Sequence, residues 1–190
     1  GHQSNEILGG RNLAVLQYGV GAAANFRSTS EDFSFLNAPL APAAPLRVDL
    51  GDAWHFRFVD DLVIEPSPSL SLQATFVWDE FDDGLQGGDS RSSWQSVGIR
   101  PEWNLTDHFS IAFEAGMDNV SVLDYPSGQL YKFTVAPQLK AGRGYFDRPV
   151  LRAFATYATW SEELEGYVAP RTNSDDNSGF SFGVQVESWW

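Results

Sequence analysis

Phe180-Ser-Phe-Gly-Val-Gln-Val-Glu-Ser-Trp-Trp190 is the stretch on which the fold turns. Phe180, Phe182, Val184, Val186 and Trp190 fall on alternate positions, with Ser188 interrupting, and Ser181, Gly183, Gln185, Glu187 and Trp189 fill the places between. A β-strand sends successive side chains to opposite faces, so this segment has one apolar and one polar face. The same split recurs upstream. Phe109, Ile111, Phe113, Ala115 and Met117 oppose Ser110, Ala112, Glu114, Gly116 and Asp118; Tyr131, Phe133, Val135, Pro137 and Leu139 oppose Leu130, Lys132, Thr134, Ala136, Gln138 and Lys140. Leu70, Leu72, Ala74, Phe76 and Trp78 oppose Ser71, Gln73, Thr75, Val77 and Asp79. Segments near 92–103, 148–160, 54–65 and 11–20 bring the expected number of strands to eight, with 11–20 ambiguous in its alternation.

These strands run to about 10–13 residues, where a globular strand is nearer 5–6 and a tilted membrane strand needs ~9–11. The connections alternate in length. Residues 21–53, 80–91, 118–127 and 161–178 are long and rich in Gly, Ser, Asp, Asn or Pro, whereas 66–68, 104–107 and 141–147 are short. Long loops at one end and short turns at the other are the plan of an antiparallel transmembrane β-barrel, and this rhythm puts the last strand's end on the periplasmic side. A soluble β-sandwich also alternates, but its outward face carries abundant charge. Here the polar faces hold mostly Ser, Gln, Gly, Ala and Thr.

Composition narrows the function classes. The 190 residues carry a formal charge of −13, which argues against a nucleic-acid partner, since phosphate binding needs clustered Lys and Arg. The acids gather at Asp79, Glu80, Asp82 and Asp83, at Glu162, Glu163 and Glu165, and at Asp175 and Asp176, as expected of solvated loops, with bridging of divalent cations at a lipopolysaccharide surface the weaker alternative. With no cysteine there is neither a disulfide nor a thiolate metal site. No apolar run approaches the ~20 residues of a membrane helix. His2, His55 and His108 stand apart from any nucleophile or metal-ligand spacing, and Asp60 and Asp61 alternate faces, so no catalytic residue, metal or cofactor is expected.

Trp189 places an indole on an otherwise polar face. It suits either a rim or packed interior position, or a platform on which the apolar face of a pyranose stacks. Phe146 shares the parity of Arg152 and lies just before the strand that begins near Arg148, close to where Trp189 is expected.

Three stretches carry a family likeness: Arg148-Pro-Val-Leu-Arg-Ala-Phe-Ala-Thr-Tyr-Ala-Thr-Trp160, Ser96-Val-Gly-Ile-Arg-Pro101 and Phe182-Gly-Val-Gln-Val-Glu-Ser-Trp-Trp190. Together with Asn12, Gln17 and Tyr18 they resemble the maltoporin family, in order from about His2 to Trp190. The resemblance implies an outer-membrane porin, trimeric, with eighteen strands per subunit, that passes maltose and maltodextrins by facilitated diffusion. In that family sugars move along a run of aromatics flanked by polar groups. Trp189 matches the last aromatic of the run, Phe146 another with Phe in place of Trp, and Asn12 a polar position. Arg11 departs from the pattern, standing where an aromatic is expected. On this reading residues 1–190 form a single domain, about eight C-terminal strands of the barrel, with the N-terminal half absent. The implied partners are the oligosaccharide, outer-membrane lipid and two further copies of the chain. A complete small eight-stranded barrel with a structural or lipid-modifying role is the alternative, although Gly183, Gly116, Ser110 and Ala112 fill such an interior poorly.

Overall fold

Alternation with a period of two needs a neighbour on each side to satisfy its backbone, and here each strand finds the next in sequence. A computed structural model of the protein describes residues 1–24, 52–82, 84, 91–122, 125–168 and 175–188. Its strands are β1 (His2–Ile7), β2 (Gly10–Val20), β3 (Trp54–Ser67), β4 (Leu70–Asp82), β5 (Arg91–Asn104), β6 (Phe109–Ser121), β7 (Gly128–Lys140), β8 (Val150–Trp160) and β9 (Ser178–Glu187). They form one antiparallel meander in the order β1 to β9. Among the described residues β1 and β9 are its two edges.

Among the described residues nine strands are present, one more than the alternation predicts. The extra strand, His-Gln-Ser-Asn-Glu-Ile, has no period-two pattern. It is a strand because Leu8 and Gly9 turn the chain back on β2 with φ of 48° and 78°, pairing His2 with Ala14 and Ser4 with Asn12. Two successive left-handed residues match the twist of a two-residue hairpin.

Strands β2–β9 run 10 to 14 residues. Residues 8–9, 68–69, 105–108 and 141–149 connect them at one end, hereafter the turn end, and the longer connections lie at the other, the loop end. Register keeps the two faces chemically distinct across the sheet. Phe76 pairs with Val97, Val97 with Met117 and Met117 with Tyr131, while on the other face Thr75 pairs with Gly98, Gly98 with Gly116 and Gly116 with Lys132.

The apolar face is exposed over its breadth, with Val97, Ile99, Phe133, Val135, Phe182 and Val184 uncovered. A continuous apolar surface of that extent marks contact with something other than water. Aromatics border it. Phe56 and Trp78 meet edge-on at 5.4 Å toward the loop end, and Trp103 and Phe113 at 5.5 Å toward the turn end. At the loop end of the polar face, buried His55 joins the carbonyl of Ala24 (3.0 Å) to the carboxylate of Asp79 (3.0 Å). Arg57 Nε donates to the same carboxylate at 2.5 Å.

Candidate functional site

Charges enter the polar face singly, each at the inward parity of its strand, and register then brings them together. Glu102 (β5) meets the ammonium of Lys140 (β7), each side chain only 2% exposed. Ser110 Oγ donates to Glu102 at 3.2 Å, and Arg100 lies 3.9 Å from Glu102 and 3.4 Å from Glu114. Arg148 and Arg152 both reach Glu187 of β9, at 2.8 and 2.6 Å. A charge removed from water is tolerable only when paired, and these pairs form a ladder of ion pairs across β5–β9.

Over this ladder folds the connection 141–149, the longest at the turn end. Gly142 and Gly144 let it curl, because a Cβ on either would press on the Asp147 carboxylate at 2.4 or 3.0 Å. That carboxylate accepts from the Gly144 N–H at 2.8 Å. The curled turn is pinned to strands on the far side of the polar face. Tyr145 N–H donates to Glu65 at 2.7 Å, its phenol donates to Gln73 at 2.5 Å, and Asn104 Nδ2 donates to the Arg143 carbonyl at 2.9 Å. Gln73 and Thr75 in turn donate to Asp61, at 2.7 and 3.0 Å.

Phe146 is therefore carried onto the polar face, half exposed. Its ring meets Tyr145 edge-on at 5.0 Å, and the guanidinium of Arg11 lies 4.5 Å from its centroid. Arg11 pairs in register with Val63 and shares the face of Asp61. Asn12 falls on the other side of the sheet, the side of Leu62, Leu16 and Tyr18, where its amide donates to Asp60 at 2.8 Å. Asp60 and Asp61 lie on opposite faces, as alternation predicts. The structure thus unites Phe146 with Arg11 but not with Asn12. Trp189 lies outside the described residues.

An aromatic pair set among paired charges on one face, with an apolar belt on the other, is the wall of a polar channel crossing an apolar medium. The sequence matches the family model described as LamB porin over residues 1–190. The chain belongs to the LamB porin family. That is a family of outer-membrane channels, and it points to carbohydrate passage. The nine-stranded meander, with no helix among the described residues long and apolar enough to cross a membrane, agrees with part of such a barrel.

Sequence reasoning missed Tyr145, Glu102 and Lys140. The signal for Tyr145 was an aromatic pair inside a glycine-rich short connection; for the other two it was shared inward parity, which marks a face but not a partner. Burial pushes the Tyr145 phenol above the usual tyrosine range, aided by Asp61 and Glu102 and opposed mainly by Arg100. The folded porin thus holds this proton more tightly than the unfolded chain. Its stabilising effect is complete below the free phenol value of about 10 and is lost as pH climbs through the higher folded value. In a spectrophotometric titration one phenol ionises above the range of free tyrosine, and Tyr145→Phe removes that step. An unaltered alkaline limb in the variant would contradict the burial argument.

Proposed function

We propose that the chain lines an outer-membrane channel for maltose, maltodextrins or closely related neutral oligosaccharides, moved by facilitated diffusion. The observation that carries this is Phe146, held at the turn end of the polar face by Tyr145 and surrounded by hydrogen-bonding groups. A sugar has an apolar face of ring C–H groups and a rim of hydroxyls, so an aromatic beside donors and acceptors serves both at once. Weak, repeated contacts suit flux, since a tight site would hold the sugar.

Trp189 joins this path by its sequence spacing of two from Glu187, whose parity is that of Arg152 and Gln185. Asn12, on the opposite face, is left out of the path, and Arg11 takes the place beside Phe146. The apolar face meets outer-membrane lipid, with its two bands of aromatics at the interfaces. Among the described residues β1 and β9 are sheet edges, which suits a part of a larger barrel domain, and a homotrimer is the assembly expected of it.

The test is current block by maltodextrin in planar bilayers holding the intact porin. Phe146→Ala and Trp189→Ala each raise the half-blocking sugar concentration about tenfold, as loss of one aromatic contact requires, while small-ion conductance stays or rises. Undiminished sugar block in both variants would end the stacking role.

A further inference from the structure

We propose a second saccharide subsite halfway along the polar face, a trough over the facing pair Gly98 and Gly116 that takes one neutral sugar unit. The inference rests on the porin reading and deepens it.

The trough is a cavity of about 210 Å³. Its floor is bare because the two glycines pair directly in register, and a Cβ built on each meets nothing nearer than a backbone oxygen, at 3.9 Å for Gly98 and 3.6 Å for Gly116. Among the described residues the space above them is thus open, not filled by neighbours. Its rim is polar on both sides. Gln73, Thr75 and Arg100 border one flank, and Glu114, Lys132 and Thr134 the other.

That rim fits a polyol. Each sugar hydroxyl both gives and accepts a hydrogen bond, and the six side chains offer two obligate donors, one acceptor and three groups that can do either. The charges also argue for a neutral ligand. Arg100 is already engaged by Glu114 at 3.4 Å and by Glu102 at 3.9 Å, so its guanidinium is not held ready for an anion. Lys132, exposed and with no carboxylate partner among the described residues, is the donor free to follow a moving hydroxyl. The bare backbone floor lets a ring lie flat against it, where any larger residue would hold it away.

Position links the trough to the aromatic pair. Gln73 borders the trough and its carbonyl oxygen accepts the Tyr145 phenol at 2.5 Å, with Phe146 next to Tyr145. The expectation is that a disaccharide stacked on Phe146 leaves the trough empty and that a longer oligomer extends into it.

The experiment measures block of ion current through the reconstituted intact porin by neutral glucans from disaccharide to hexasaccharide. Gly116→Leu and Gly98→Leu fill the trough without displacing backbone. Each is expected to raise the half-blocking concentration of the hexasaccharide about tenfold, the loss of roughly one charge-assisted hydrogen bond, and to leave the disaccharide unchanged. Glu114→Gln, which keeps the volume, weakens the hexasaccharide a few-fold and decides the matter where the leucine variants do not assemble. Ala155→Leu, on the opposite face of β8, leaves block as it is in the unaltered protein. Unchanged hexasaccharide block in the filled variants, beside weakened block in Phe146→Ala, overturns the trough and leaves the porin reading standing. An unaltered porin that no glucan blocks overturns both.

Discussion

Glu102→Leu lowers the stability of the refolded porin by about 3–5 kcal/mol, the cost of leaving a buried charge without its partner. Lys140 loses its carboxylate while both side chains sit 2% exposed, and Ser110 and Arg100 lose an acceptor at the same point. The loss belongs to the orphaned ammonium more than to the missing attraction. Glu102→Leu combined with Lys140→Met therefore recovers most of it, because a well-packed apolar pair is often as stable as the ionic one. Urea titration of the porin in lipid, followed by tryptophan fluorescence, measures both. A single variant within about 1 kcal/mol of the parent would show that water reaches Lys140.

Phe182→Lys and Ser181→Lys, one residue apart on β9, are expected to differ sharply. Phe182 is 79% exposed on the apolar face, pairing with Ala155; Ser181 faces the other way, pairing with Thr156. If the apolar face meets lipid, the lysine at 182 costs about 2–4 kcal/mol near the bilayer midplane, whereas the lysine at 181 stands in the aqueous lumen at little cost. In a water-exposed sandwich the two substitutions would cost about the same. The same refolding assay separates the cases, and equal losses at the two positions would remove the lipid from the account.

Much of this architecture is legible in the sequence because barrel strands repeat one rule. Most of the eight expected segments declare themselves by alternation, and their neighbours follow from chain order. β1 escapes because His-Gln-Ser-Asn-Glu-Ile has no apolar face to read; its strand character comes from β2, not from its own residues. β2 is ambiguous for a related reason. Leu13 and Val15 sit on its polar side and Asn12 on its apolar side, so only pairing with β3 tells the sides apart. Parity within a strand also stops at the strand's end. Phe146 precedes β8 by four positions, and it reaches the polar face because Tyr145 is tied to Glu65 and Gln73, contacts more than seventy residues away in sequence. No local pattern reports a partner that distant.

The Tyr145 turn has a mechanical consequence. Its bonds to β3 and β4 span the hollow of the sheet like a brace, because the turn itself leaves from β7 and returns to β8. Two strands that would otherwise be related only through the soft hinges of every ladder between them are held at fixed separation. Curvature is then set on one side of the ring before the ring is shut. The conformational freedom that closing such a sheet must remove is smaller by that much.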